Sequence, residues 1–242
     1  MELLQVRNPF QTPIYYIPSV DSTMRVARLE LGESCEHGTV VAAGEQTAGR
    51  GRVSGRNWNA GRGEGLLFTI VCRKEMVPAP VSSLPIRMAL ALSKMLKKRV
   101  GLSPLIKWPN DVLIHGKKIC GILCESSKEH VYCGIGLNVK QTSFSKDLRT
   151  PATSIYLENG ETPEPLELLP FFLDELYSLL SVVQLPMMVR PWLYRLDEEV
   201  SFVEGDPGQG KRVSGIVTGV GEHGELRLLQ KSGKIRSLYS GE

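Results

Sequence analysis

The chain has 242 residues, 42% of them hydrophobic and 23% charged, with a formal net charge of +3. That length admits one full-sized core and a small appendage, and so even and small a charge gives no argument for nucleic acid. No run approaches the eighteen or so apolar residues of a membrane span.

The start, MELLQVRNPFQTPIYY, lacks the basic-then-apolar order of a signal peptide, so a cytoplasmic address is the expectation. Asp21-Ser22-Thr23 stands just before a helical segment and reads as an N-cap. Residues 38–43 (GTVVAA) and 65–71 (GLLFTIV) are short, β-branched, glycine-bounded runs that predict buried strands. The stretch between them is rich in glycine and arginine and too poor in apolar residues to be core. Residues 81–99 place Leu84, Met88, Leu92, Met95 and Leu96 at helical spacing and end in Lys97, Lys98 and Arg99, cations suited to a helix C-terminus.

Residues 105–108, 111–114, 119–125 and 130–138 then predict a succession of strands, joined by turns such as His115-Gly116 and Ser126-Ser127. Such short connections imply mostly antiparallel neighbours. Residues 166–180 predict a strongly apolar helix, and 187–196 a second one. Helices against a largely antiparallel sheet make an α+β domain. From about Glu198, VSFVEG, KRVSGIVTGVG and GELRLLQKSGKIRSL alternate apolar and polar residues between glycine-rich turns. So small a set of strands is best closed as a barrel. The boundary is placed near Asp197, giving a larger α+β unit over 1–196 and a small β unit over 197–242.

The five cysteines, Cys35, Cys72, Cys120, Cys124 and Cys133, form no Cys-x-x-Cys pair with nearby histidines and read as reduced thiols. The basic cluster Gln46-Thr47-Ala48-Gly49-Arg50-Gly51-Arg52, continued by Gly55-Arg56-Asn57-Trp58, interleaves three arginines with glycines. Its backbone can approach a ligand closely while guanidinium forks face anionic oxygens, and phosphate is the natural ligand. A ligand would order such a loop, and Trp58 could cover a flat ring such as adenine. A solvated surface loop or a nucleic-acid patch has the same texture. A Walker loop needs Gly-Lys-Ser/Thr opening a helix, and a strand follows here instead.

A second constellation is Lys107-Trp108-Pro109-Asn110-Asp111, followed by Lys117-Lys118-Ile119-Cys120-Gly121. Pro109 presets a turn, so an acid, an amide and a lysine meet at one sheet edge. Asp111 could help hold magnesium, and Lys118 could offset charge on a carboxylate attacking phosphorus. A hairpin turn with a solvated lysine is the plainer alternative. Gly134-Ile135-Gly136-Leu137-Asn138 is an apolar strand ending in an amide.

In this order the elements resemble biotin protein ligases. The resemblance rests on Ser22-Thr23, on Glu45 through Arg52 with Trp58, on Lys107 through Asp111, and on Lys118 through Leu123 with Glu125. Gly134 through Val139, Ala152-Thr153-Ser154 and GIVTGVGEHGEL from Gly215 continue the series. It implies a catalytic domain like that of class II aminoacyl-tRNA synthetases plus an SH3-like C-terminal barrel. It implies ATP and biotin as substrates, Mg2+, a biotin carboxyl carrier protein as acceptor, and neither nucleic acid nor membrane as partner. The family often pairs through its central sheet, which makes a homodimer an expectation.

Carried over by position, the resemblance gives Ser22, Thr23 and Gln46 to the biotin ureido ring. It gives Arg50, Gly51 and Arg52 to a loop over the biotin tail and the adenylate phosphate. Lys118 falls to the biotin carboxylate and α-phosphate, and Gly121 to the biotin site. Lys107, Asn110, Asp111 and Asn138 fall to the nucleotide and magnesium side, and Trp58 to the adenine. Lys118, Arg52 and Asp111 are the catalytic candidates. Met24 stands where many members have asparagine, and Val53-Ser54 makes the arginine loop one residue longer than usual. A lipoate protein ligase shares the fold and the adenylation chemistry, but the full Gly-Arg-Gly-Arg loop and the small barrel favour biotin. A bifunctional repressor would need a winged helix-turn-helix for which some twenty residues before Ser22 leave no room. A non-catalytic biotin-binding module would have no use for Lys118 and Asp111.

Overall fold

The computed structural model describes every residue except 33, 53–57, 59, 79, 146–147, 206–209 and 242. Its elements in chain order are β1 (Glu2–Leu3), β2 (Ile14–Ile17), α1 (Thr23–Leu29), β3 (Val40–Ala43), β4 (Gly65–Arg73) and α2 (Leu84–Val100). There follow β5 (Leu105–Lys107), β6 (Asp111–Ile114), β7 (Lys117–Ser126), β8 (His130–Asn138), α3 (Ile155–Asn159), α4 (Leu169–Leu180) and α5 (Leu185–Val189). The last four are β9 (Glu199–Glu204), β10 (Lys211–Val220), β11 (Leu226–Leu229) and β12 (Ile235–Leu238).

Eight strands form one sheet in the order β1-β2-β3-β4-β8-β7-β6-β5, and four form a second in the order β12-β11-β10-β9. All neighbours are antiparallel except β2 and β3, which run parallel. Alternation assigns the two faces of the large sheet. Leu66, Phe68, Ile70 and Cys72 of β4, with Val131, Cys133, Ile135 and Leu137 of β8, point into the main core, which α2 and α4 cover. The opposite face carries Thr69, Val71, Tyr132, Gly134 and Gly136, and α1 closes only part of it with Met24, Val26 and Ala27. The uncovered remainder is where the site lies.

Local chemistry sets the boundaries. Pro85 sits in the first turn of α2, where a missing N–H costs nothing, and Gly101 at φ 74° ends it in the left-handed conformation. The predicted helix starts three residues too early, because Val81–Ser83 form a separate 3-10 turn. The second predicted helix, 187–196, is corrected: the helix is α5, only Leu185–Val189, followed by the 3-10 turn Arg190–Trp192. Pro191 cannot continue the helical hydrogen bonds, and Leu193 leaves extended to bridge Ile106 on β5. His115 and Gly116, at φ 49° and 76°, make the two-residue turn between β6 and β7.

The four C-terminal strands curl. Arg236 of β12 reaches Glu204 of β9 at 2.5 Å, so the two outer strands face each other as in an SH3-like unit. Trp108 locks this unit to the large sheet: its Nε1 donates to the Gly224 carbonyl at 2.8 Å, and its ring meets Phe202 edge-on at 5.9 Å.

Candidate active site

The floor of the site is glycine. Gly134 and Gly136 of β8 and Gly121 of β7 face away from the main core, and larger neighbours use the room. A Cβ on Gly136 would stand 2.4 Å from Trp58 Cε2, and one on Gly134 would stand 3.0 Å from Met24 Cε. Trp58 therefore lies flat on the sheet, and its Nε1 is buried without a hydrogen-bond partner among the described residues. On one side of the indole is a cavity of about 70 Å³ lined by Ser22, Thr23, Gln46, Arg50, Gly51 and Lys118 among others. On the other is a groove of about 1300 Å³ between the two sheets, which takes in Lys107, Asn110, Asp111 and Asn138. Gln46, Gly51, Arg52, Trp58, Asn110 and Lys118 line both.

The closed end of the cavity is a polar relay. Gln46 Oε1 accepts from the Thr23 N–H at 2.8 Å and the Thr23 hydroxyl at 3.0 Å, while the Thr23 and Thr69 hydroxyls meet at 2.8 Å. With its oxygen so occupied, the Gln46 amide must turn its nitrogen elsewhere. Ser22 occupies the N-cap of α1 but makes no side-chain cap bond, which corrects its reading as a plain cap. It lines the cavity instead. Thr69 escaped the sequence reading, although it is the lone hydroxyl in the run GLLFTIV.

At the mouth, Glu125 holds Arg28 at 3.1 Å and Arg50 at 3.7 Å. Arg52 donates from Nη2 to the Gly241 carbonyl at 2.9 Å. The rest of the predicted arginine loop, Val53 through Asn57 with Arg56, lies outside the described residues.

The open end centres on Lys118 and Asp111, whose Nζ and Oδ1 are 2.7 Å apart. The angles at that oxygen are not those of a hydrogen bond, so charge and not alignment holds the pair. Lys118 Nζ also lies 5.6 Å from the centre of the Trp58 ring, within cation–π range. A register shift brings the lysine there. Val112 pairs with Cys120 but Leu113 with Lys118, so Ile119 is an extra residue in β7. Ile119 and Cys120 both turn into the core, and Lys118 emerges on the face of Gly121. Bulges re-aim side chains in this way.

The flanking amides are committed to the scaffold. Asn110 Nδ2 donates to the Ile122 carbonyl at 2.8 Å. Buried Asn138 donates to the Thr153 carbonyl at 3.0 Å and accepts from Gln141 at 3.3 Å. Lys107 Nζ stands 3.4 Å from the Thr150 hydroxyl. Among the described residues no three His, Cys, Asp or Glu side chains converge as a metal site. Asp111 lines the groove, and its carboxylate is of the kind that takes a magnesium ion whose other ligands come from phosphate and water. The Cys120 thiol on the core face is pushed well above its ordinary range by burial, and all five cysteines are unpaired.

The fold has counterparts among solved structures. The biotin protein ligase from Aquifex aeolicus, in complex with biotin and ATP, superposes with a TM-score of 0.82 at 29% identity, over 95% of this chain and 96% of that one. The molecule therefore has the biotin ligase catalytic fold with a small C-terminal β unit. The biotin/lipoate A/B protein ligase family matches residues 16–138. The biotin--[acetyl-CoA-carboxylase] ligase of Mycobacterium tuberculosis is 31% identical over 201 residues, 79% of this chain and 73% of that protein. The chain belongs to the biotin/lipoate A/B protein ligase family. The bifunctional ligase/repressor BirA of Bacillus spizizenii is 36% identical over 155 residues, and the match spans 61% of this chain but 47% of that relative, about half its length.

Proposed function

We propose that the chain is an ATP-dependent biotin protein ligase, which adenylates biotin and passes it to a lysine of a biotin carboxyl carrier protein. One observation carries this reading: a single glycine floor joins a donor–acceptor relay of Gln46, Thr23 and Thr69, with Ser22 beside it, to the Lys118–Asp111 pair. A ureido ring needs its buried donors and acceptors met, and the relay can meet them. An acyl tail leaving that end runs along the floor toward Lys118.

In the first step a biotin carboxylate oxygen bonds to the α-phosphorus of ATP and the α–β phosphoanhydride bond breaks, releasing pyrophosphate. Lys118 offsets the charge gathered between carboxylate and phosphate, and Arg50 and Arg52 face it from the cavity mouth. The unpartnered Trp58 N–H offers a donor where the two cavities meet, and the indole offers a face for the nucleotide base. Asp111 would hold magnesium, which supplies further charge neutralisation at the phosphates. In the second step the acceptor lysine, as free amine, attacks the biotinyl carbonyl and AMP leaves. Asp111 is our candidate for assisting loss of that lysine's proton. No protein nucleophile is required, since positioning and charge suffice.

The same reading divides the chain into a catalytic unit over 1–196 and a β unit over 197–242, joined where Trp108 meets Gly224. It includes a homodimer through the central sheet, which rests on the family alone and which sedimentation would test. Five unpaired thiols and the need for ATP suit a cytoplasmic address. No described helix is long and apolar enough to cross a membrane. The test is pyrophosphate release from ATP with biotin or with lipoate, followed by label transfer to a carrier domain. Biotin-dependent release is expected; release with lipoate alone would replace the substrate.

A further inference from the structure

Behind Lys118 lies a second arrangement that meets the cavity lining assigned to biotin only through the backbone of Lys118. Lys118 and Ile119 lie beyond the last β7–β8 pair, Cys120 with Leu137, so β8 gives Lys118 no backbone partner. The segment 151–153 takes its place. The Lys118 N–H donates to the Pro151 carbonyl at 2.7 Å, and the Thr153 N–H donates to the Lys118 carbonyl at 2.9 Å. The Thr153 carbonyl in turn accepts from Asn138 Nδ2. This strap thus fixes both the bulged lysine and the buried amide beside it.

The strap is held from outside by one carboxylate. Thr153 is fully buried, and its hydroxyl donates to Glu158 Oε1 at 2.5 Å. Glu158 Oε2 meets His115 Nδ1 at 2.9 Å, and Lys117 Nζ approaches Oε1 at 3.8 Å. Its side chain is only 8% exposed although it stands on the short helix α3. Ser154 anchors that helix, accepting from the Leu157 N–H at 3.1 Å and donating to the Gln141 carbonyl at 2.6 Å. Glu158 therefore ties the β6–β7 turn to the strap that carries Lys118.

From this juxtaposition we propose that Glu158 is a positioning residue for adenylation, acting through the Thr153 hydroxyl to hold the bulged Lys118 in place. The proposal rests on the biotin-adenylating reading. Its logic is geometric: past the bulge at Ile119, Lys118 keeps Leu113 of β6 on one side, but β8 has ended on the other, and the strap supplies the bonds that β8 would have made. Loosening it frees the lysine to follow its strand away from the glycine floor, while the relay at Thr23 and Gln46 is untouched.

The full chain carrying Glu158→Ala should lose about 10- to 100-fold in kcat for biotin-dependent pyrophosphate release, a displacement effect of the size expected for a misplaced catalytic group. Biotin affinity by equilibrium dialysis should fall less than about fivefold, because only the Lys118 contact at the carboxylate is loosened and the relay at Thr23 and Gln46 still holds the ring. Glu158→Gln keeps an oxygen for the Thr153 hydroxyl and should stay within about threefold of the parent. Thr153→Val should match Glu158→Ala, and the double variant should be no worse than either, as for two residues in one linkage. Amide exchange at Lys118 should quicken in Glu158→Ala and not in Glu158→Gln. Parental kcat in Glu158→Ala, equal losses in the alanine and glutamine variants, or biotin affinity falling in step with kcat would each overturn the proposal. A parent that releases no pyrophosphate with biotin would sink the functional reading instead, and the exchange measurement would still decide whether Glu158 braces Lys118.

Discussion

Replacing Thr69 by valine exchanges a hydroxyl for a methyl at a site closed to solvent. The Thr23 hydroxyl has one hydrogen, 3.0 Å from Gln46 Oε1, and meets Thr69 Oγ1 at 2.8 Å. With that hydrogen committed to Gln46, Thr69 is the donor, and valine leaves a buried Thr23 lone pair unmet. Losing one such bond costs about 1–2 kcal/mol. In a chain of this length each kcal/mol lowers Tm by about 2–4 °C, so calorimetry should show a fall of about 2–8 °C. The second consequence is specific to the site. A Thr23 hydroxyl released from its donor no longer fixes the Gln46 amide, so KM for biotin should rise about tenfold, about 1.4 kcal/mol. The turnover number should change less than about twofold, because Lys118 is unaffected. Steady-state pyrophosphate release against biotin concentration separates the two constants. A lower Tm with parental KM would show that Thr69 merely fills space, and a loss confined to kcat would refute the assignment of the relay to biotin.

Lys118→Ala should nearly abolish adenylate formation while shifting Tm by less than about 2 °C, because its partner Asp111 borders an open groove; unchanged turnover would remove it from the site. Gly136→Ala places a Cβ 2.4 Å from the Trp58 ring and must lift the indole off the floor; intrinsic tryptophan fluorescence should shift and pyrophosphate release fall about tenfold or more, and a normal spectrum would contradict the packing. Arg87→Met leaves the Leu179 and Val182 carbonyls without the buried guanidinium that bonds them at 2.8 and 2.9 Å, so stability should fall by about 2–4 kcal/mol in urea titration with biotin KM unchanged. Burial raises the Glu158 pKa, but the Thr153 hydroxyl, His115 and Lys117 outweigh it and the net shift is downward from 4.5. The carboxylate's contribution is then complete above about pH 4.5 and fades as pH falls through the lower folded value. The Tm gap between parent and Glu158→Gln should therefore narrow progressively as pH falls below about 4.5, and a gap that widens there would reverse the sign.

Much of the fold was legible because burial leaves a period in the sequence. β4 and β8 are apolar on the core face at every second residue, and α2 repeats its leucines and methionines every three to four. Other elements carried no such mark. β1 and β2 lie at one edge of the sheet, only Ile14 of them is buried, and the parallel pairing with β3 depends on a partner far along the chain. The helix expected over 187–196 overlaps α5 only at residues 187–189, because Pro191 cannot continue the helical hydrogen bonds and the chain goes on as a 3-10 turn. The site was legible as motifs and opaque as geometry. Gln46 and Thr23 are far apart in sequence, and nothing in either motif says that one oxygen serves both Thr23 donors or that Thr69 completes the relay. Glu158 lay outside every motif, since a lone glutamate in a short helix reads as solvated surface.

The lysine shows most clearly what spacing cannot tell. Alternation counted back from Gly121, which faces the site, assigns Ile119 to the same face and Lys118 to the core. The structure has them reversed, because Ile119 is an extra residue with no partner in β6. Nothing in the composition of KKICGIL marks the bulge, but the burial energetics demand it. Without the extra residue a charged ammonium would face the layer packed under α2, where an unpaired charge costs several kcal/mol, and an isoleucine would stand in water. The apolar pair Ile119 and Cys120 can both be buried only if the strand kinks, and the kink delivers Lys118 to Asp111. The hydrophobic demand of two core residues and the placement of the charge are thus one event, and the strap of residues 151–153 pairs with Lys118 on the side where β8 has ended.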